Sequence, residues 1–180
     1  MNLQALPEEA LKEILALTEA KKRLDLQEEA QNLFMPFAHH VYENFIEGRH
    51  HRVIAEKLER VARGELKRLI INMPPRHSKS EFASFLMPAW FLGRNPKLKI
   101  IQATHNTELA VRFGRKVRDL IDDPAYKEIF PDTHLKEDNK GAGKWQTSDG
   151  GEYFAAGVGA AVTGRGADLF VIDDPHSEQD

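Results

Sequence analysis

Along the first third of the chain, apolar residues return every three or four positions. Leu11, Ile14, Leu15 and Leu17 set one such face after Pro7, and Glu8 and Glu9 stand where the positive end of a helix dipole favours acids. Lys21, Lys22 and Arg23 interrupt the face, so the pattern predicts one helix up to that triplet and a second from Asp25 to Met35, ended by Pro36. A short helix is predicted over 37–46, stopped by Gly48. Val53, Ile54, Leu58 and Val61 predict another, ending near Gly64.

Beyond residue 65 the rhythm changes. Lys67 to Met73 is a short apolar run of the kind a buried strand makes, followed by a turn-like stretch and a helical pattern from Lys79 to Leu92. Lys97 to Thr104 predicts a second strand and Thr107 to Ile121 a long amphipathic helix. Shorter strands are predicted at Trp145–Thr147 and Tyr153–Val158, around the turn Asp149-Gly150-Gly151, and a last one at Ala167–Asp173. Asp138 to Lys144, with two glycines and mixed charge, reads as an exposed loop. Strands alternating with helices predict an α/β fold with a largely parallel sheet over 65–180, preceded by a helical region over 1–64.

Composition narrows the possibilities. The 180 residues suffice for one ordinary core, and 41% hydrophobic with 29% charged residues is the balance of a globular domain. A formal net charge of −3 supplies no global positive field, so any contact with nucleic acid rests on a local patch. There are no cysteines, which excludes disulfides, thiol catalysis and cysteine metal sites. No basic, apolar leader opens the chain and no apolar run nears the ~20 residues of a membrane span, so a reducing cytoplasm is expected.

Two stretches carry chemistry. The first, Met73-Pro-Pro-Arg-His-Ser-Lys-Ser-Glu81, lies between a predicted strand and a predicted helix. Backbone N–H groups at such a helix start converge on an anion, a lysine adds a point charge, and a hydroxyl reaches a magnesium ion. Lys79 and Ser80 supply the last two and Arg76 a second cation, although glycines usual in phosphate loops are absent. The second stretch, Ala167 to Pro175, is an apolar strand that ends in Asp173 and Asp174. An acid at a strand end opposite a lysine loop is placed to organise magnesium. Taken alone, the loop without its glycines reads first as a solvated basic turn and the strand end as a common polar turn; their order and spacing join them.

With these motifs the chain resembles the ATPase portion of the large terminase subunit of tailed bacteriophages, the motor that packages DNA into procapsids. The resemblance covers roughly residues 49–180. It rests on the loop stretch 64–81, on 86–121, on 144–175, and on the pairing of the two nucleotide motifs. It implies a P-loop NTPase-type, mainly parallel sheet flanked by helices, with ATP and Mg²⁺ bound at the strand ends. Pro75, Arg76, His77, Ser78, Lys79, Ser80 and Glu81 would form the phosphate loop, and Ser80 with Asp173 would hold the metal. Asp174 would activate the attacking water, Arg76 would reach the terminal phosphate, and Arg165, between Gly164 and Gly166, would reach a neighbouring subunit's nucleotide. Ser78 stands where the family carries glycine, and its side chain restricts backbone freedom that glycine would supply.

The same resemblance implies double-stranded DNA, a portal protein and a small terminase subunit as partners, self-association into a ring, no membrane, and the cytoplasm of an infected bacterium as the setting. A coupling segment, further sheet and a nuclease domain are expected downstream, which would make these residues a fragment incomplete at its C-terminus. Two rival readings are a helicase-like ATPase and a non-catalytic assembly module of the same fold. Plainer roles fall to the remaining features. His39-His40 and His50-His51 lack companion ligands and read as surface or packing residues. Arg112, Arg115, Lys116 and Arg118 form a basic helix face whose default is solvent. Trp90 and Phe91 read as core.

Overall fold

The structure, a computed structural model, describes residues 7–160 and 162–176. Its opening helix, α1, runs unbroken from Glu8 to Asn32. The break expected at Lys21–Arg23 is absent, because these residues are good helix formers and this stretch lies in solvent; within α1 only Ala30 is buried. Leu33 takes an extended conformation and starts α2, Phe34–Val41. Pro36 therefore sits in the first turn of a helix instead of ending one, where its missing N–H would have had no partner anyway. The Phe34 N–H, another first-turn donor, is taken by the Glu59 carboxylate at 2.9 Å. Helix α3, Arg49–Ala62, turns His51, Ile54, Ala55 and Leu58 inward and closes with Gly64 at φ +74°, the left-handed position glycine fills after a helix.

A helical stretch then runs from Lys79 through a π-helical segment, Glu81–Leu86, into α4, Met87–Arg94. Pro88 has no N–H to offer the preceding turn, and the Met87 N–H reaches back five residues to the Phe82 carbonyl. Strand β1, Lys99–Thr104, leads to α5, Thr107–Asp122, capped by the Asn106 side chain accepting from the Leu109 N–H. Helix α6, Pro124–Ile129, was not legible in the apolar pattern, yet carries an Asp123 cap and a first-turn proline. Strands β2 (Leu135–Lys140), β3 (Lys144–Thr147), β4 (Glu152–Gly157) and β5 (Leu169–Ile172) complete the fold.

The sheet has the order β2-β3-β4-β1-β5. Strand β1 is parallel to both β4 and β5, whereas β3 is antiparallel to β2 and β4, so the sheet is mixed and not largely parallel. The expected loop at 138–144 is in part the edge strand β2. Charges are at home there because an edge strand needs no apolar outer side. The larger correction concerns residues 67–73. They alternate in exposure as a strand does, with Leu69, Ile71 and Met73 half-buried and Ile70 86% exposed. Yet residues 67–74 make no backbone–backbone hydrogen bond with any described residue, and a groove separates them from β5.

The core joins the helices to one face of the sheet. Phe34 meets Phe82 and Trp90 edge-on at 5.3 and 5.5 Å, and the buried Trp90 Nε1 donates to the Ala30 carbonyl at 2.9 Å. This cluster fixes α1 and α2 against the helix that follows the basic loop. Across the sheet, Trp145 stacks on Tyr153 at 4.9 Å and donates to the Gly114 carbonyl of α5. A Cβ on Gly114 would lie 2.7 Å from the Ala142 carbonyl oxygen, so this close approach of α5 requires glycine.

Candidate functional site

The two chemistry-bearing stretches meet. Lys79 Nζ donates to Asp174 Oδ1 at 2.5 Å and lies 3.4 Å from Asp173 Oδ1, across 95 residues of sequence for the first contact. Each partner is held from outside. The Asp173 N–H donates to the Ala103 carbonyl and the His105 N–H to the Asp174 carbonyl, which fixes the end of β5 to the end of β1. Asp173 itself is 6% exposed, and its Oδ2 accepts from the fully buried Ser84 Oγ at 2.8 Å. Ser84 lies within the π-helical stretch, at a position no motif singles out; only its burial behind the strand end reveals it.

Loop residues 73–81 and Asp174 enclose a hollow of about 470 Å³. Pro75, Arg76, His77, Ser78, Lys79, Ser80 and Glu81 all line it, so every residue expected in the phosphate loop is brought to one cavity. Arg76 is exposed, and His77 Nδ1 lies 2.8 Å from the Pro75 carbonyl oxygen. Glu81 stands at the rim with its carboxylate committed elsewhere: both oxygens accept from Lys116 of α5, at 3.0 and 2.9 Å, and the Lys116 ammonium lies over the Phe85 ring. One member of the basic face on α5 therefore braces the helix behind the loop.

Hydrogen bonding to Asp174 raises the Lys79 pKa above its ordinary value, with burial opposing and the charges of Asp173 and Asp174 adding to it. The lysine is cationic throughout the physiological range. The exposures of the pair, 29% for the Lys79 side chain and 59% for that of Asp174, mark it as a surface ion pair worth about 0–1 kcal/mol. The pair is therefore a weak surface contact rather than a lock.

The loop backbone is bent in the way the missing glycines imply. Arg76 and Ser78 both have φ +63°, and Asp174 has φ +43°. A side chain in this left-handed region costs about 1–2 kcal/mol. Ser78 carries that backbone cost in the folded chain, so its relief by glycine is read in stability. Ser78→Gly should raise the melting temperature by about 1–3 °C, the strain relief being partly offset by the freer unfolded chain. Differential scanning calorimetry measures it; a lower melting temperature would mean that the serine hydroxyl holds the loop.

Histidines pack behind the loop. Buried His51 stacks on Phe82 at 4.9 Å, lies 3.9 Å from His50 between ring centres, and accepts the Gly48 N–H at Nδ1. The His50 ring is in turn 5.7 Å from His77 of the loop. Burial, followed by the nearby His50 charge, lowers the His51 pKa, with Glu47 opposing. A histidine held neutral stabilises the fold above its unfolded pKa of about 6.5, and that stability is lost as pH falls through the lower folded value. Protonation at Nδ1 would also break the bond from Gly48. Thermal melts from pH 7.5 to 5.5 should therefore fall with pH, and His51→Phe should flatten the slope; parallel slopes would remove His51 as the cause.

Arg165 is placed apart from this cluster. Its NH1 donates to Glu152 Oε1 at 2.8 Å, and its guanidinium lies 4.0 Å from the Phe154 ring centre. Glu152 pairs with Lys99 at the beginning of β1, whereas the Asp173 N–H bonds Ala103 near the end of β1. Within its own chain Arg165 thus sits toward the opposite end of the sheet from Lys79.

No protein-family profile matches this chain, and no curated protein or solved structure matches it either. The residues themselves must carry any functional reading. Among the described residues there is no cluster of three or more His, Asp or Glu suited to holding a metal alone, and no helix long and apolar enough to cross a membrane. Magnesium in a nucleotide site needs no such cluster, since one or two protein oxygens, phosphate and water complete its shell. The Asp173 carboxylate and the Ser80 hydroxyl are donors of that chemical type, Ser80 lining the loop hollow and Asp173 the neighbouring groove.

Proposed function

We propose that the chain is a P-loop ATPase segment that binds Mg-ATP and hydrolyses it, of the kind found in the large terminase subunit of tailed bacteriophages. The observation that carries this reading is the meeting of Lys79, at the helix start behind a basic loop, with Asp173 and Asp174 at the end of β5. Lys79 reaches both strand-end acids, and Asp174 lines the loop hollow beside it, which supports this reading.

The phosphates would enter the hollow formed by 73–81 and draw Lys79 away from Asp174. Loop N–H groups and the Lys79 ammonium then neutralise the chain of phosphates, and Arg76, exposed at the rim, reaches the terminal one. Asp173 and Ser80 would hold Mg²⁺, which when bound supplies further charge neutralisation on the phosphate oxygens. Asp174, released by Lys79, becomes free to orient the water that attacks the terminal phosphorus. Arg165 acts on the nucleotide of an adjacent subunit in a ring; its exposed pairing with Glu152 costs little to release. Translocation of double-stranded DNA into a procapsid, with a portal protein and a small terminase subunit, belongs to the same proposal, as does the infected bacterial cytoplasm.

The test measures phosphate release with Mg-ATP, with and without double-stranded DNA, beside a strand-separation assay on a forked duplex. Turnover stimulated by intact duplex without unwinding supports the packaging reading. Unwinding would favour a helicase, and nucleotide binding without turnover in any condition would favour a non-catalytic module.

A further inference from the structure

Gln102 lies in the middle of β1, between β4 and β5, and is fully buried. Neither polar atom of its side-chain amide has a hydrogen-bond partner among the described residues. Burying an amide unpaired is costly, so a partner is expected. Alternation along the strands gives its surroundings. Ile100, Gln102 and Thr104 share one face of β1, and Ile100 belongs to the core under the helices. Gln102 stands in register with Val171 of β5, and Asp173 lies two residues further on, its N–H bonded to the Ala103 carbonyl. Gln102 and Asp173 are therefore diagonal neighbours on the face that Ser84 approaches from the π-helical stretch. Such positions are within reach of a long side chain.

Donors and acceptors on that face do not balance. Ser84 Oγ gives its proton to Asp173 Oδ2, and Thr104 Oγ1 gives its own to the Asn106 carbonyl at 2.6 Å. The Asp173 carboxylate only accepts. All of these oxygens can take a further hydrogen bond, and none has a proton left to supply one. Gln102 Nε2 brings two N–H donors to the same face, both unspent. A water spans the remaining gap: it accepts from Nε2 and donates to Ser84 Oγ and Thr104 Oγ1, about the number of bonds usual for a buried water. On β4, Tyr153 stands in register with Ile100, and its buried, unpartnered hydroxyl is a donor of the kind that Gln102 Oε1 requires.

We infer that Gln102 is a positioning residue for the carboxylate at the end of β5. Its amide donates through one buried water to Ser84 Oγ. The run of bonds from Gln102 through water and Ser84 to Asp173 keeps Oδ2 turned inward and Oδ1 turned toward Lys79, 3.4 Å away. Every bond in the run is donated toward the carboxylate, so each strengthens the next. Without it, Ser84 alone would hold Asp173 and the carboxylate could swing about that single contact. That the outward oxygen meets a metal ion rests on the nucleotide reading; the run of bonds does not.

The test is a double-mutant cycle on the unfolding equilibrium of the whole chain, with Gln102→Met, which keeps the side-chain length, and Ser84→Ala. Gln102→Met should raise the unfolding constant about tenfold in the wild-type background and less than about threefold beside Ser84→Ala, which has already cut the run of bonds. A lower unfolding constant in Gln102→Met would overturn the inference, because an amide without a partner is better replaced by an apolar group. Equal increases in both backgrounds would reduce Gln102 to a packing residue and overturn it as well. In the wild-type chain, the Gln102 side-chain amide protons should show a nuclear Overhauser effect to a long-lived water, and finding none would remove the bridge. With the ATP analogue bound, Gln102→Met should weaken Mn²⁺ at least about threefold, the loss expected when a ligand is less well held; equal Mn²⁺ affinity would refute the positioning role. A wild-type chain that binds neither analogue nor Mn²⁺ would end the nucleotide reading, and the cycle would still decide this inference.

Discussion

Lys79→Ala should weaken binding of a non-hydrolysable ATP analogue with Mg²⁺ by about 10²-fold. The estimate follows from one or two charge-assisted hydrogen bonds to phosphate, about 1.5–3 kcal/mol each, less the small cost of leaving Asp174. The variant also leaves Asp173 and Asp174 adjacent with no facing ammonium, which repels the anion further. Isothermal titration calorimetry gives the affinity, and a thermal melt without nucleotide separates loss of binding from loss of fold. Unchanged affinity in a folded variant would remove Lys79 as the phosphate ligand, and with it the proposed function. Asp174→Asn is the informative companion, because it frees the lysine without removing it and should leave binding equal or tighter.

Asp173→Asn should lower ATP turnover by about 10²–10³-fold, the range for removing one preorganised electrostatic group. Loss of the carboxylate should also weaken Mn²⁺, an EPR-visible stand-in for Mg²⁺, when the ATP analogue is present. The fold should survive. The asparagine carbonyl can still accept from Ser84 Oγ, and replacing a carboxylate that is 6% exposed removes a desolvation cost. Lys79 keeps Asp174 as a partner in the variant. Wild-type turnover and Mn²⁺ affinity together would take Asp173 out of the metal site. Turnover lost with Mn²⁺ affinity retained would assign it to positioning Lys79 and Ser84 instead.

Much of the local structure could be read from the residues alone. The 3.6-residue rhythm of α3 and α5, the period and apolar content of β1, β4 and β5, and the stop at Gly64 all act over a few positions. So do the two candidate motifs, because lysine, hydroxyl and paired acids announce their chemistry wherever the chain places them. Errors arose where the deciding contact is distant. Lys21–Arg23 interrupts an apolar stripe, but a helix face with nothing packed on it has no stripe to keep, so α1 continues. Pro36 reads as a stop until Phe34 is found buried between Phe82 and Trp90, which makes it a first-turn residue of α2. Residues 67–73 have the alternation of a strand but lack a neighbour, and a strand exists only when another backbone accepts its hydrogen bonds. Ser84 has no motif, and its contact with Asp173 spans 89 residues. What the sequence by itself determined was the chemistry on offer and the elements whose signals are local. Only the tertiary structure decided that Lys79 meets both acids, that Ser78 is held left-handed, that Arg165 rests on Glu152, and that residues 67–73 stand apart from β5. Each of these depends on chain segments far apart in sequence and on backbone pairing, which no residue type encodes by itself.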